Sequence, residues 1–276
     1  MKILVTNDDG YQSQGLKVLV KVLRKYGDLV IVAPKTHQSG MSMAVSMGLK
    51  PIAVKMVSDA PGEQWWYLDG TPASCVKFGI DNIMTDAKPD LVVSGINHGS
   101  NAATATLYSG TVGSAMEGAV NRVPAIALSL DDMHPECDFS AVERLLPEFL
   151  DKFLPLVSHD YGVLYNVNFP NLPFEQIKGF RLGRMGHAHW EEEYKRYDLE
   201  TFRSLGIPEE RFIPSALEKA EKGEIHYVMV GDFTDEADNT VAADHRLVAD
   251  GWVSVCPLNI DSTDYGEIER LKTFFD

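Results

Sequence analysis

Short apolar runs alternate with segments of helical spacing along the first 170 residues of the chain. Apolar runs closed by turn residues predict buried strands, and apolar residues three and four apart predict amphipathic helices. The predicted strands cover residues 3–6, 29–32, 65–68, 90–94, 125–130, 163–169 and 251–257. The predicted helices cover residues 16–27, 72–84, 112–121, 139–153 and 268–275, and residues 43–57 are expected to be extended. Strands that alternate with helices in this way predict a doubly wound α/β fold with a mostly parallel sheet.

The character of the sequence changes after Pro170. Residues 171–250 are charged and irregular, and one late apolar run follows at 251–257. We therefore predict a core over residues 1–170. Residues 171–276 are predicted to form an excursion of β-hairpins that serves as a lid or as an oligomer contact and then returns to the core.

Oxygen-bearing and small residues follow three of the predicted strands at the point where each strand ends. Because the carboxyl ends of parallel strands meet at one edge of a sheet, these loops are expected to lie together and to form a ligand site. The residues concerned are Asn7, Asp8 and Asp9 after the first strand, Ser39 after the second, and Asn97, Asn101, Ser109, Gly110 and Thr111 after the strand at 90–94.

The adjacent acids Asp8 and Asp9 are the strongest of these features. Two carboxylates in the first turn would repel a phosphate unless they hold a divalent cation. Gly10 favours a turn in which both carboxylates can converge on such a cation. Hard oxygen ligands, here the carboxylates with the Ser39 hydroxyl and the Asn97 amide oxygen, suit Mg²⁺ or Mn²⁺. An exposed acidic turn without a metal is the alternative that the motif alone leaves open.

The segment Ser109-Gly110-Thr111 stands where a helix is predicted to begin. Free amides and hydroxyls at a helix N-terminus can bind an anion such as a phosphate. An ordinary N-cap, with glycines for close helix–sheet packing, explains the same residues, and taken alone it is the more common case.

The charge of the chain narrows the range of partners. The net charge is −15, from 40 acidic and 25 basic residues, which disfavours binding to long nucleic acid or to an anionic membrane. Three dispersed cysteines do not form a disulfide framework, and the short, polar N-terminus does not resemble a signal peptide. No apolar run is long enough for a membrane span, so we expect a cytoplasmic protein.

Six sequence blocks together resemble the SurE family, the stationary-phase survival proteins, which are 5′/3′-nucleotidases. The blocks are ILVTNDDG (3–10), VAP…QSG (32–40), GTPASCV (70–76), PDLVVSGIN.G.N (89–101), YSGTVGSAMEG (108–118) and NVNFP (166–170). They cover essentially the whole α/β region in order and in spacing. The chain departs from the family pattern at Ser74, where the family has an acid, and in an insertion around residues 186–245.

The resemblance implies a Rossmann-like core with one divalent cation, Mg²⁺ or Mn²⁺, bound by Asp8, Asp9, Ser39 and Asn97. It implies phosphate contacts from Asn101 and from Ser109, Gly110 and Thr111, with Asn97 as a further contact. It also implies hydrolysis of nucleoside 5′- and 3′-monophosphates, activity on short polyphosphate, and assembly into homodimers or homotetramers that exchange C-terminal elements. Asp8 and Asp9 are the expected catalytic residues, with Asp8 preferred as the general base.

Two other classes of protein also carry acids after the first strand. A phosphatase of the haloacid dehalogenase class requires acids on alternate residues, but here they are adjacent and Gly10 follows. A receiver domain requires a phosphate-accepting aspartate at the end of a later strand, where this chain has Ser94 and Gly95. A glycosyltransferase with an acidic metal site is a third alternative, which no specific residue supports.

Overall fold

The chain forms two compact units in a computed structural model that describes residues 1–134, 136–209, 212–218 and 220–275. Unit 1 comprises Met1–Gly186 and Thr240–Asp276, and unit 2 comprises His187–Asn239. The chain therefore leaves unit 1 once and returns to it once.

Unit 1 is built on a sheet that contains nine strands within the described residues, in the order β3-β4-β2-β1-β5-β6-β7-β13-β8. The six strands from β4 to β7 in this order are mutually parallel, whereas β3 and β13 pair antiparallel with their neighbours β4 and β7. The strands are β1 Lys2–Thr6, β2 Asp28–Pro34, β3 Val54–Ala60, β4 Glu63–Leu68, β5 Leu91–His98, β6 Ala125–Leu130, β7 Val163–Phe169, β8 Phe180–Leu182 and β13 Val253–Asn259.

Helices cover both faces of this sheet because the side chains of its central strands are apolar in both directions. On β1, Ile3 packs with α1 and α5 on one face, and its neighbour Leu4 packs with α2 and α4 on the other, as the two-residue period of a strand requires. The helices of unit 1 are α1 Gln14–Leu23, α2 Pro72–Phe78, α3 Ala105–Tyr108, α4 Gly110–Val120, α5 Ser140–Phe153, α7 Asp244–Ala249 and α8 Tyr265–Phe275. The predicted doubly wound α/β fold with a mostly parallel sheet is confirmed.

Two predicted elements differ from the observed ones by more than about four residues at one end. The helix predicted over residues 72–84 is α-helical only over Pro72–Phe78 and continues as a π-helical turn, Gly79–Ile83. Gly79 lies against the sheet there, and a Cβ on it would come within 2.7 Å of the Leu4 side chain. Only the end of the segment predicted to be extended becomes a strand, which is β3.

Unit 2 contains two antiparallel strand pairs. Strand β9 (Ala188–Glu191) pairs with β12 (Asp232–Asp235), and β10 (Tyr194–Arg196) pairs with β11 (Tyr227–Met229). A short helix, α6 (Leu199–Ser204), follows β10, and its Phe202 packs edge-on against Tyr197 and Phe212. The predicted excursion therefore contains the β-hairpins expected of it.

Among the described residues, no helix combines the length and the apolar character that crossing a membrane requires. The three cysteines, Cys75, Cys137 and Cys256, are free thiols.

Helix α1 lies so close to β5 that Gly15 has no room for a side chain. A Cβ at this position would lie 2.0 Å from the carbonyl oxygen of Ile96. We expect Gly15→Ala to lower the free energy of unfolding by at least about 2 kcal/mol, because rigid backbone must move to admit the methyl group. Urea denaturation measures this change. Lys17→Ala, at an exposed position of the same helix, should change it by less than about 0.5 kcal/mol, and equal values for the two variants would contradict the close approach.

Candidate functional site

The turn after β1 places two carboxylates at the carboxyl edge of the sheet. Asn7 fixes this turn, since its side-chain nitrogen donates to the Gly10 carbonyl oxygen at 3.1 Å and to the Ser13 hydroxyl at 2.8 Å. Gly10 has a φ of +99°, a conformation that glycine adopts without strain. Asp8 and Asp9 are thereby turned in different directions from adjacent positions.

Asp8 is buried against the N-terminus of α4. One of its carboxylate oxygens accepts the Thr111 hydroxyl at 2.6 Å and the other accepts the Thr111 amide at 3.1 Å. Gly110 makes this approach possible, because a Cβ there would lie 2.9 Å from the Asp8 Cβ. The positive end of the α4 dipole also faces this carboxylate and favours its charge.

These donors do not fully compensate the burial of Asp8. Burial, together with repulsion from the Asp9 charge, raises its pKa from an ordinary 3.8 to about 6, although the two Thr111 hydrogen bonds act in the opposite direction. A carboxyl group with this pKa is mostly ionised at neutral pH, but at a cost in free energy. A positive charge bound beside it would remove that cost.

Two histidines flank Asp9, whose side chain is 6% exposed. His98 Nδ1 lies 3.0 Å from Asp9 Oδ2, and the His98 amide donates to the same oxygen at 3.3 Å. His37 Nδ1 lies 3.3 Å from the other oxygen, Oδ1. The hydrogen bond to Asp9 raises the pKa of His98 above its ordinary value, against the opposing effect of burial.

The other two predicted metal ligands lie beside the acids. The amide of Gln38 donates to the Asp8 carbonyl oxygen at 2.7 Å, which brings the next residue, the exposed Ser39, to this edge. Asn97 is the second-last residue of β5, immediately before His98, and its side-chain nitrogen donates to the Gly99 carbonyl oxygen at 2.8 Å. That bond leaves the amide oxygen of Asn97 as the atom that can bind a cation.

The residues present fit a single divalent cation with oxygen ligands. Among the ion pairs of the described residues, neither Asp8 nor Asp9 is paired with a lysine or an arginine, so their charges lack a strong protein counterion. The described part of the chain contains no group of three or more His, Cys, Asp and Glu side chains arranged to hold a metal. Two carboxylates, a hydroxyl and an amide oxygen form the type of set that Mg²⁺ and Mn²⁺ use, with water completing the shell.

The predicted phosphate loop forms the first turn of α4. The Ser109 hydroxyl is the N-cap and accepts the Val112 amide at 3.0 Å, while the Thr111 amide is bonded to Asp8. The N-cap expected at this position is therefore present, and two of the first amides already have partners. A phosphate bound here would share these donors or use the Gly110 amide.

Asn101 belongs to a buried polar network that fixes the loop after β5. Its side-chain nitrogen donates to the Ser129 hydroxyl at 2.8 Å, and its amide donates to the side-chain oxygen of Asn168, also at 2.8 Å. The Asn166 side chain donates to the Asn101 carbonyl oxygen at 2.8 Å. The loop is thus held by two asparagines on the same face of β7, and the predicted phosphate contact of Asn101 stays a prediction.

Sequence reasoning assigned no role to several residues that shape this edge. The main ones are His98 and the two β7 asparagines. For the asparagines, the sequence did contain a signal, since polar Asn residues stand at alternate positions of an otherwise apolar strand. Asp244 also had no assigned role. Its buried carboxylate accepts hydrogen bonds from the backbone amides of Ala103 and Gly186. Ser74, at the position where the expected pattern has an acid, accepts the amide of Ser46 at 2.7 Å and so holds the loop after β2.

Comparison with known proteins gives consistent results. The family model of survival protein SurE matches residues 3–192. A 5′-nucleotidase SurE of Cytophaga hutchinsonii is 36% identical over 98% of this chain and 95% of its own length. One of Bacteroides fragilis is 34% identical over 99% of this chain and 96% of its own. The crystal structure of a SurE protein from Aquifex aeolicus superposes with a TM-score of 0.78 at 30% identity, over the full length of both chains.

The raised pKa of Asp8 predicts that this residue destabilises the metal-free fold. The rise of the Asp8 pKa from 3.8 to about 6 corresponds to about 3 kcal/mol of folding stability that the protonated carboxyl group contributes. This contribution is fully present below pH 3.8 and is lost as the pH rises through 6. We therefore expect Asp8→Asn to raise the free energy of unfolding by about 1–3 kcal/mol at pH 8, with a much smaller gain near pH 4.

Denaturant titrations at the two pH values, in EDTA, measure this difference. Asp86→Asn, which replaces an exposed acid in the segment before the amino end of β5, serves as the control and should show no such pH dependence. A wild-type protein as stable as Asp8→Asn at pH 8 would contradict the predicted destabilisation of the metal-free fold by the Asp8 charge.

Proposed function

The chain belongs to the SurE family, and on that premise we propose that it is a metal-dependent 5′/3′-nucleotidase that hydrolyses nucleoside monophosphates to nucleoside and phosphate. It is a phosphoric monoester hydrolase, the enzyme class of the relatives named 5′-nucleotidase. The observation that carries the proposal is the buried Asp8 beside Asp9, a pair of acids without a lysine or arginine partner among the described residues.

In this proposal, Asp8, Asp9, Ser39 and Asn97 hold one Mg²⁺ or Mn²⁺. The cation supplies Lewis-acid polarisation of the phosphoryl group and acidifies a coordinated water. The four residues come from the ends of β1, β2 and β5, which adjoin one another in the sheet. Asn97 lies within β5, and the other three residues lie in the loops that follow β1 and β2.

The protein's own groups then have separable roles. Asp8 accepts the proton of the attacking water as the general base. Asp9 binds the cation. Ser109, Gly110 and Thr111 bind and orient the phosphate at the positive end of α4, with Asn97 and Asn101 as further contacts.

Three further features belong to the same proposal. Short-chain polyphosphate is a second substrate, since its terminal phosphate presents the same group to the edge. The protein acts in the cytoplasm and assembles as a homodimer or homotetramer. Helix α8 supports assembly, because none of its described residues is buried although it carries Ile268, Phe274 and Phe275.

Phosphate release from a panel of 5′- and 3′-mononucleotides tests the proposal. We expect turnover that EDTA abolishes and that Mn²⁺ or Mg²⁺ restores. Tripolyphosphate in the same assay tests the second substrate. No release with any metal would contradict the nucleotidase assignment for this chain.

Asp9→Asn removes one proposed metal ligand while preserving the shape of the side chain. We expect kcat/KM for nucleoside monophosphates to fall at least about 100-fold, because the cation loses a charged ligand. Asp86→Asn should retain wild-type activity. The circular dichroism spectrum and melting temperature of Asp9→Asn check that the fold is intact, and an active, folded variant would exclude Asp9 from the site.

A further inference from the structure

We propose that His98 is a positioning residue, which holds one oxygen of the Asp9 carboxylate so that the other oxygen faces the cation. The inference rests on the metal dependence proposed above and concerns a residue to which sequence reasoning assigned no role. It assigns this role to His98 and not to His37, which contacts the same carboxylate but lacks the additional contacts that hold the His98 ring.

The two histidines divide the oxygens of Asp9 between them. Oδ2 accepts both the ring Nδ1 of His98, at 3.0 Å, and the backbone amide of His98, at 3.3 Å. Among the described residues, Oδ1 has only His37 Nδ1 within ion-pair distance, at 3.3 Å. Two donors on one residue therefore fix Oδ2, and Oδ1 is the oxygen that a cation can take.

The His98 ring is held in place on a second side. Phe139 packs edge-to-face against it, with ring centroids 5.1 Å apart, and Phe139 itself is 4% exposed at the start of α5. Its backbone is part of β5, in register with Leu130 of β6. The ring therefore has little freedom to leave Asp9.

His37 lacks these restraints. Its side chain is 62% exposed, whereas that of His98 is 17% exposed. It lies in the loop after β2 and makes its contact through a single ring atom. A cation at Oδ1 can displace His37 into solvent, while His98 keeps its two hydrogen bonds.

This division has a chemical consequence for metal affinity. A carboxylate whose second oxygen is already bonded to fixed donors is oriented before the metal arrives, and losing such an outer partner commonly costs 10- to 100-fold in affinity. His98 should therefore strengthen cation binding, and His37 should leave it unchanged or compete with it.

Mn²⁺ titration of the metal-free protein, followed by electron paramagnetic resonance without substrate, tests the inference directly. We expect His98→Ala to weaken Mn²⁺ binding about 10- to 100-fold. The matched variant His37→Ala should keep the wild-type Kd within about twofold or bind more tightly. His98→Asn should recover much of the loss, because its amide nitrogen can take the place of Nδ1.

Additional readouts separate positioning from a general loss of structure. At saturating Mn²⁺, the nucleotide KM of His98→Ala should equal that of the wild type, and the far-ultraviolet spectrum should be unchanged. If His98→Ala does not fold, His98→Asn and His98→Gln are compared instead: only the shorter amide places its nitrogen at the Nδ1 position, so His98→Asn should bind Mn²⁺ more tightly.

Two kinds of result would overturn the inference. Wild-type Mn²⁺ affinity in His98→Ala, or equal losses in the two histidine→alanine variants, would show that His98 does not orient Asp9. A wild-type protein that binds no Mn²⁺ would overturn the proposed metal dependence and this inference with it. The first result leaves the nucleotidase proposal standing, so the two failures are distinguishable.

Discussion

The burial of the Asp8 carboxylate beside the charge of Asp9 is the constraint around which this edge of the sheet is built. Burial makes the ionisation of Asp8 costly, and the protein offsets only part of that cost with two donors from Thr111 and the N-terminus of α4. Asp9 is placed between two histidines rather than beside a lysine or arginine. A permanent cationic partner would stabilise the fold more, but it would occupy the position proposed for the divalent cation.

The strands and the edge could be predicted from sequence because both depend on local patterns. Apolar runs identified β1, β5 and β6, and the turn after β1 identified Asp8 and Asp9. The partners of these acids could not be predicted, because they depend on tertiary distance: Thr111 lies 103 residues from Asp8 and His98 lies 89 residues from Asp9. No local pattern indicates which of many polar side chains the fold will bring to a carboxylate.

The buried polar network behind the edge shows the same limit. The asparagines of β7 stand in a strand whose other side chains are mostly apolar, and their role became visible only when their bonds to the loop after β5 were known. Such networks are costly unless their members are satisfied, and satisfied ones fix a single arrangement. The loop carrying Asn101 is therefore held by side-chain hydrogen bonds, although it has no regular structure.

The chain leaves unit 1 and returns to it at neighbouring points. Arg184 and Ala243 form a β-bridge, and the Arg184 backbone forms hydrogen bonds with the backbone of both Ala242 and Asp244. The chain segments that flank residues 187–239 are therefore hydrogen-bonded to each other within unit 1. Natural selection can therefore lengthen, shorten or replace residues 187–239 without disturbing the sheet, much as a domain is grafted between adjacent termini.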